Sequence, residues 1–357
     1  MTRKLLLLCV LAFAGCTHNP ADIGLPVTEE HNLPEPKIQF LGVGGWLLHW
    51  KGEGLLLAPS FSNPAGLGIT GNIPLWVYAD NRKIDIYMPP ANDVSMLLVG
   101  HAHYDHLMDV PRVVKVHTPH AKVFGSETVG HILHAANPPI PVIVPDRSEI
   151  TNSKDPRYKG TWFYSSGDRM TDGEHLAKNT NAPPRGDIRA MPIESMHAGH
   201  IFGVNLLPGA YDTDQDELPS YVRSWKLGHK TLAWIIDLLG DDGKPVYRIH
   251  YQDSAAQPPF GLPPLLTDSK PFDVEILCAG DWDQVAAYPG ALLRVTQPRL
   301  VLVGHWENFF GNNLEVPARI IPGQNPVPMI ERIKTAVPTA RVVIPEPLSE
   351  VALPPAQ

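Results

Sequence analysis

The sequence predicts a layered α/β fold, and three observations carry that prediction. Short apolar runs typical of strands alternate with helix-like segments over roughly 300 residues, which indicates strand and helix layers around one core. With 43% hydrophobic and 18% charged residues, the composition is that of a globular chain rather than a disordered one. The first predicted strands form a meander separated by glycines, which argues against a simple doubly wound sheet.

From residue 37 onward, each element is predicted from its hydrophobic pattern and its flanking turn residues. A continuous apolar run at residues 95–99 is typical of a strand buried on both faces. A helix is predicted at residues 126–136, with Ser126 as its N-cap and Asn137-Pro138 after it. Residues 61–90, rich in Gly, Pro and aromatic side chains, are predicted to form a long functional loop. The other strands are predicted at residues 37–41, 46–50, 54–58, 121–124, 188–192, 231–236, 246–251, 274–277, 300–303 and 340–344, and the other helices at 110–116 and 329–336.

Charge and cysteine content exclude several classes of function. The 357 residues carry a formal charge of −8 and no basic patch, which argues against a nucleic acid or an anionic membrane held by charge. The chain has 16 His but only 3 Cys, too few for a thiolate zinc site together with a disulfide framework. Any metal site is therefore predicted to use nitrogen and oxygen ligands.

The N-terminus is predicted to be an export and lipidation signal. Arg3 and Lys4 precede an apolar run of ten residues, 5–14, which is shorter than the roughly 20 residues that span a bilayer. The sequence Ala14-Gly15-Cys16 resembles the lipobox of bacterial lipoproteins, which implies a lipid on Cys16 and an extracytoplasmic protein on the periplasmic face of a membrane. Plain secretion, a retained membrane-spanning helix and a cytosolic protein with a chance apolar start are the alternatives.

No internal repeat and no second linker divides the chain after the N-terminal segment. We therefore predict a lipoprotein signal peptide at residues 1–15, a flexible proline-rich tether at 16–36, one folded domain at 37–347 and a C-terminal tail at 348–357. The prolines of the tether are expected to hold the domain away from the membrane.

A dense group of metal-binding residue types follows the predicted strand 95–99. The run His101-Ala102-His103-Tyr104-Asp105-His106 places three imidazoles and one carboxylate within six residues. At the end of a strand, where the backbone can turn sharply, such a run can direct ligands toward two metal positions. The alternative is a polar surface turn that is rich in histidine by accident.

This run, after a hydrophobic strand, resembles the signature of the metallo-β-lactamase-fold hydrolases. Three further elements resemble the family's pattern in order, each at the end of a predicted strand. They are Glu194-Ser195-Met196-His197, Tyr251-Gln252-Asp253-Ser254 and Val301-Leu302-Val303-Gly304-His305. The resemblance covers roughly residues 37–344 and implies a four-layer αββα sandwich with the site along one edge.

The resemblance also implies a ligand set for two divalent ions, with zinc favoured and manganese or iron as alternatives. A hydroxide shared by the two ions would attack the substrate. The implied ligands are His101, His103 and His197 for one ion, Asp105, His106 and His305 for the other, and Asp253 between them.

Single residues near the ligands leave alternatives open. His200 lies three residues beyond His197, so it could replace His197 as a ligand, support it, or face the substrate as a proton donor. We favour His197 as the ligand because it follows the strand more closely, and we predict catalytic roles for Asp105 and His200. His250 is predicted to be packed or hydrogen-bonded rather than catalytic.

The opening strands resemble one branch of the family. Residues 41–48 and 56–62 are similar to the start of the branch that contains lactone hydrolases and N-acyl-phosphatidylethanolamine phospholipase D, although Ala58-Pro59 replaces the usual Asp-Pro. This implies hydrolysis of an ester-like or phosphodiester bond, phospholipase D or phosphodiesterase-like, in a small-molecule or lipid substrate. A β-lactamase, a lactonase or a noncatalytic metal-binding lipoprotein are the alternatives. The oligomeric state stays open.

Overall fold

The structure, a computed structural model, describes residues 18–151, 160–172, 185–200 and 202–357. The predicted signal peptide and Cys16 therefore lie outside the described residues. Within these ranges, sixteen strands and six α-helices alternate along the chain. None of the helices described is long and apolar enough to span a membrane.

The strands build two sheets. The strands are β1 (Val27–Thr28), β2 (Lys37–Gly42), β3 (Gly45–Trp50), β4 (Glu53–Leu57), β5 (Val94–Leu98), β6 (Lys122–Phe124), β7 (Val142–Ile143), β8 (Thr161–Tyr164), β9 (Arg169–Thr171), β10 (Ile188–Ser195), β11 (Thr231–Leu239), β12 (Pro245–Tyr251), β13 (Val274–Cys278), β14 (Leu300–Gly304), β15 (Arg341–Pro345) and β16 (Glu350–Ala352). The first sheet has nine strands in the order β1-β15-β14-β13-β12-β11-β10-β8-β9, and the second has seven in the order β16-β2-β3-β4-β5-β6-β7.

Helices cover the outer faces of both sheets. The helices are α1 (Asn81–Tyr87), α2 (Tyr104–Leu107), α3 (Val110–Val116), α4 (Glu127–Leu133), α5 (Gly290–Thr296) and α6 (Val327–Ala336). Side chains of α1, α3 and α4 pack on the seven-stranded sheet, and side chains of α5 and α6 pack on the nine-stranded sheet. A third core lies between the sheets and takes side chains from both. The predicted four-layer αββα sandwich is therefore confirmed.

Strand β11 shows why these sequences form buried strands. Every residue of Thr231–Leu239 is buried. Its alternate residues Leu232, Trp234, Ile236 and Leu238 enter the core between the sheets, whereas Ala233 and Ile235 face the opposite core. A strand with two apolar faces must be covered on both sides, so its sequence reads as a continuous apolar run.

The predicted tether differs from the structure at residues 18–36. Strand β1 pairs in parallel with β15, and the side chain of Leu25 is 4% exposed in the core beneath α5 and α6. The backbone N–H of Leu33 also donates to the Glu350 carboxylate at 2.7 Å. The prediction of a flexible tether is wrong for these residues, because their hydrogen-bond partners lie more than 300 residues away in the sequence and no local pattern reveals them.

The predicted C-terminal tail is also part of a sheet. Strand β16 pairs antiparallel with β2, and the N–H of Leu353 donates to the carbonyl of Pro36 at 3.0 Å. The helix predicted at residues 110–116 is confirmed as α3, while α1 lies inside the segment predicted to be a loop. Ser126 holds the N-cap position of α4, but its hydroxyl makes no capping hydrogen bond.

Candidate metal centre

Four strands end at one edge of the sandwich and bring the predicted ligands together. His101 follows β5, His197 follows β10, Asp253 follows β12 and His305 follows β14. In parallel strands the carboxyl ends meet at the same edge of a sheet, which is where open α/β structures place their sites. All seven predicted ligands and His200 lie at this edge.

The turn after β5 is shaped by a glycine and a single helical turn. A Cβ at Gly100 would lie 2.4 Å from both carboxylate oxygens of Asp253, so only glycine lets the two strand ends approach this closely. His103 keeps extended backbone angles as the N-cap of α2, whose one turn then carries Asp105 and His106. His101 and His103 therefore lie before the helical turn, and Asp105 and His106 lie on it.

The side chains form three overlapping groups in which potential ligand atoms lie within 4.8 Å of one another. One group consists of His101, His103 and His197, and another of Asp105, His106 and His305. The third group, His101, His106 and Asp253, shares one residue with each of the other two and links them. This connectivity matches the predicted order of two ions with Asp253 between them.

Several buried polar atoms at this edge have no hydrogen-bond partner among the described residues. The oxygen Oδ2 of Asp253 lies 3.2 Å from Nδ1 of His101, yet the two atoms are not in hydrogen-bond geometry. Unpaired buried polar groups are costly, so they require another partner. The unpaired atoms are both ring nitrogens of His101, Nδ1 of His106, Nδ1 of His305 and both carboxylate oxygens of Asp253. Nitrogen and oxygen atoms in this number fit divalent ions such as Zn²⁺.

Backbone carbonyls fix the orientation of two imidazoles. The Nδ1 atom of His197 donates to the carbonyl of Ala198 at 2.6 Å, and Nε2 of His103 donates to the carbonyl of Leu207 at 3.3 Å. A carbonyl can only accept, so each imidazole keeps its other nitrogen as a lone pair. Such outer hydrogen bonds orient metal-binding histidines and select their tautomer.

Three of the imidazoles, those of His103, His106 and His197, are held neutral. Burial, together with the neighbouring imidazoles, lowers the pKa of His106 to about 3 and holds the pKa values of His103 and His197 well below their usual range. Burial acts to raise the pKa of Asp253, but His101 and His106 outweigh it and keep this carboxyl ionised. Neutral imidazoles and ionised carboxylates are the forms that bind metal ions.

His197 and His200 take different places. The rings stack at 4.9 Å with an interplanar angle of 22°, but His197, not His200, belongs to a group of converging ligand atoms. The Nδ1 atom of His200 accepts a hydrogen bond from the N–H of Leu206 at 3.2 Å. Its neutral ring therefore carries the proton on Nε2, and burial lowers its pKa to about 4.

Asp105 and His305 close the other end of the site. The Oδ2 atom of Asp105 lies 3.3 Å from Nε2 of His305 and 3.5 Å from Nε2 of His106. His305 has left-handed backbone angles, with φ of 57°, and its ring contacts Phe309 edge to face at 5.0 Å. This strained position lets the residue after β14 turn back toward Asp105.

Sequence reasoning missed a turn that packs on the site. A Cβ at Gly44 would lie 2.6 Å from Nδ1 of His106, and the hydroxyl of Tyr251 donates to the carbonyl of Gly44 at 2.9 Å. The glycine pair between two predicted strands was the available signal. Ala58 is buried close to this turn and offers no side-chain acceptor, as the departure from Asp-Pro implies.

A second residue that the sequence did not single out is Asp281. It follows β13 and interacts electrostatically with His305. Burial raises the pKa of Asp281 to about 7. Gln324 donates to its Oδ1 atom at 3.3 Å. An isolated Asp without a motif carries no sequence signal. His250, predicted to be packed or hydrogen-bonded, is fully buried and contacts Glu275 at 2.6 Å.

Known proteins give limited information on this chain. No family model matches the sequence, and no curated protein matches it. Solved structures similar to it include metallo-β-lactamase-fold metal hydrolases. They include a metallo hydrolase from Ignicoccus hospitalis (14% identity, TM-score 0.47, covering 88% of this chain and 97% of that chain), the metallo-β-lactamase fold protein YhfI from Bacillus subtilis (12%, 0.44, 88% and 98%) and isothiocyanate hydrolase from Delia radicum gut bacteria (9%, 0.46, 89% and 99%). The activities named belong to those proteins.

Proposed function

We propose that this chain is a metal-dependent hydrolase that holds two divalent ions, with zinc favoured. The supporting observation is the set of buried, unpaired nitrogen and oxygen atoms that converge from four strand ends. A site kept only for structure would be closed by its own ligands, whereas hydrolytic sites keep positions open for water and substrate. Two bound ions would supply an activated water as the nucleophile and polarise the bond that is cleaved.

The chain's own residues supply orientation and a hydrogen-bond donor. His101, His103 and His197 would hold one ion, and Asp105, His106 and His305 would hold the other, with Asp253 between them. Asp105 also contacts two imidazoles, so it fixes the spacing of the second group. His200 stands beside the first group with its hydrogen on Nε2, so the neutral ring can donate a hydrogen bond to an oxygen of the substrate.

We propose an ester-like or phosphodiester bond as the target, with phospholipase D or phosphodiesterase-like activity favoured. The support is the resemblance of the opening strands at residues 41–48 and 56–62, together with the loops beside the site. Lactonase and β-lactamase activity are the alternative reactions. We further propose that the protein is a periplasmic-face lipoprotein anchored through Cys16, because Ala14-Gly15-Cys16 follows an apolar run.

Metal content and turnover test the proposal together. Residues 17–357 retain every contact described above, so this part of the chain is purified and its metal per chain is measured. Hydrolysis of bis(p-nitrophenyl) phosphate, simple esters, lactones and nitrocefin is then followed with and without a chelator. About two ions per chain and chelator-sensitive turnover of one substrate class are expected.

Matched variants make the test specific. His103→Ala is expected to lose metal and at least about 100-fold in turnover, because outer-ligand changes alone cost 10- to 100-fold. The control, His120→Ala, removes an exposed imidazole and should change neither. His200→Gln should retain the metal while lowering turnover, which separates the hydrogen bond of His200 to the substrate from metal binding. Metal-free protein, or turnover that His103→Ala leaves unchanged, would refute the proposal.

A further inference from the structure

Exposed apolar side chains flank the candidate metal centre on two loops. We name these side chains the apolar rim. The rim consists of Leu67, Ile69, Ile73, Leu75, Trp76 and Tyr78 on the first loop and Phe202, Val204, Leu206 and Leu218 on the second. Single exposed apolar residues are ordinary, but an extended group of them beside a site marks an interaction surface.

The two loops are joined to each other and to the site. The N–H of Val77 donates to the carbonyl of Ser220 at 2.8 Å, and the rings of Trp76 and Tyr221 lie 5.4 Å apart. The second loop also carries Leu206, whose N–H donates to His200, and Leu207, whose carbonyl accepts from His103. The rim therefore adjoins the metal centre.

Two members of the rim are held in a conformation that large apolar residues rarely adopt. Leu67 and Phe202 have φ of 53° and 50°, and they are 92% and 96% exposed. Left-handed backbone is costly for residues other than Gly, Asn and Asp, and exposing a large apolar side chain to water adds to that cost. The described part of the chain covers neither side chain, which points to an external apolar partner.

The N-terminal segment contacts the rest of the chain close to the metal centre and the first loop of the rim. The carbonyl of His18 accepts from the N–H of Ile320 at 3.0 Å, and Ile320 pairs with Glu307, two residues after His305. Three residues further along, the carbonyl of Phe310 accepts from Gly71, which lies within the first loop of the rim. These steps join His18 to Gly71 over at most about 25 Å, and Cys16 is two residues, at most about 7 Å, before His18.

We infer that the apolar rim docks on the surface of the lipid bilayer that holds the anchor at Cys16. The metal centre then opens toward the lipid, and its substrate is an amphiphilic molecule of that bilayer. For the substrate this inference rests on the proposed function, but the docking is measurable without catalysis.

The charge of the protein specifies the kind of lipid surface. The formal charge is −8, and the second loop itself carries Asp212, Asp214, Asp216 and Glu217. Attraction to anionic headgroups would require clustered Lys and Arg. The rim is therefore expected to insert apolar side chains among neutral headgroups, as amphipathic surfaces do, with little dependence on salt.

Sedimentation with phosphatidylcholine vesicles tests the docking. Residues 17–357 lack both the apolar run 5–14 and Cys16, so vesicle binding reports the rim alone. We expect this protein to bind the vesicles equally well in 0.1 M and 1 M NaCl. The double variant Leu67→Asn/Phe202→Asn should bind at least tenfold more weakly, since asparagine tolerates the left-handed backbone and is polar.

A matched control and a competing partner sharpen the result. Leu265→Asn changes a side chain that is 101% exposed outside the two loops and should bind vesicles as the parent does. Absence of parent binding, or equal binding by the double variant, overturns the docking. A dimer in size-exclusion chromatography that the double variant abolishes, without vesicle binding, would assign the rim to a second copy and also overturn it.

Turnover separates this inference from the proposed function. Chelator-sensitive hydrolysis of bis(p-nitrophenyl) phosphate by a parent that binds no vesicles would overturn the docking alone. An inactive parent whose vesicle binding depends on Leu67 and Phe202 would support the docking and count against the proposed function. If both hold, kcat/KM for a vesicle-borne ester should fall at least tenfold in the double variant, while the Leu265→Asn control keeps the parent value.

Discussion

Two buried clusters of charged and polar side chains share strands β10 and β12, one within these strands and one beyond their ends, and they differ in how their atoms are paired. The first, which we name the arginine cluster, consists of Arg189 on β10, Asp237 on β11 and Arg248 on β12, with Asp268 beside them. Asp237 accepts from Nη2 of Arg189 at 2.6 Å and from Nε of Arg248 at 2.7 Å. Arg248 also donates to Asp268 at 2.7 Å. Within this cluster, opposite charges face each other and form direct hydrogen bonds.

The metal centre leaves several of its buried polar atoms unpaired. His101 and Asp253 are almost fully buried, yet their ring nitrogens and carboxylate oxygens have no hydrogen-bond partner among the described residues. A cluster that satisfies itself stabilises one arrangement of three strands, whereas a cluster that does not is incomplete without a ligand. The contrast therefore separates a structural role from a binding role within one fold.

The largest expected effect breaks the arginine cluster. Asp237→Ala leaves two buried guanidinium groups without their shared partner, and removing one member of a buried pair costs about 3–5 kcal/mol of unfolding free energy. Guanidinium denaturation of the metal-free protein measures this loss. The control, Asp241→Ala, removes an exposed carboxylate that contacts Lys51 and should cost less than about 1 kcal/mol. A small loss for Asp237→Ala would show that the cluster is not the structural element inferred here.

The two clusters also differ in how far the sequence reveals them. The run from His101 to His106 stands directly after a strand in a dense His and Asp pattern, so local sequence was enough to predict it, whereas His197, Asp253 and His305 were implied by the family resemblance. Arg189, Asp237 and Arg248 lie inside strands and meet only through the register of β10, β11 and β12. The pairing of β1 with β15 and the place of Asp281 beside His305 likewise depend on contacts that are distant in sequence.

Metal removal should destabilise the protein through the second cluster alone. A ligand that binds only the folded state adds about 2.7 kcal/mol at a concentration of 100 times its Kd and about 4.1 kcal/mol at 1,000 times. We expect zinc, compared with excess chelator, to raise the unfolding free energy by about 3–4 kcal/mol. Zinc should not stabilise His103→Ala, whereas His120→Ala should respond like the parent. Equal stabilisation of His103→Ala would place the ion elsewhere.

Asp109 has one carboxylate oxygen that is hydrogen-bonded and one that is not, and it gives a pH-dependent test of the comparison. One oxygen accepts from the N–H groups of Phe61 and Ser62 at 2.6 and 2.9 Å, while the other has no partner, and burial raises its pKa from 3.8 to about 6. The folded state therefore holds this proton more tightly than the unfolded state, so the stability it contributes falls as pH rises from about 4 to 6.

Asp109→Asn removes this ionisation while keeping an oxygen that can accept both N–H groups. The variant should gain about 3 kcal/mol relative to the parent between pH 4 and pH 7, the order of magnitude of a two-unit pKa shift. Denaturation curves of the metal-free proteins at each pH measure the difference. Asp216→Asn, at an exposed position, should differ from its parent by the same small amount at every pH. A constant difference for Asp109→Asn would contradict the assignment.

The smallest expected effect concerns the turn that packs on His106. Tyr251→Phe removes the hydrogen bond to the carbonyl of Gly44 and leaves that carbonyl unpaired, which costs about 1 kcal/mol of unfolding free energy. Because Gly44 lies directly against His106, the zinc affinity should also fall, by less than about tenfold. The control is Tyr247→Phe, four residues earlier on β12, whose hydroxyl makes no hydrogen bond to a described residue. If both variants lose zinc affinity equally, the hydroxyl of Tyr251 has no part in positioning His106, and the hydrogen bond to Gly44 contributes to stability alone.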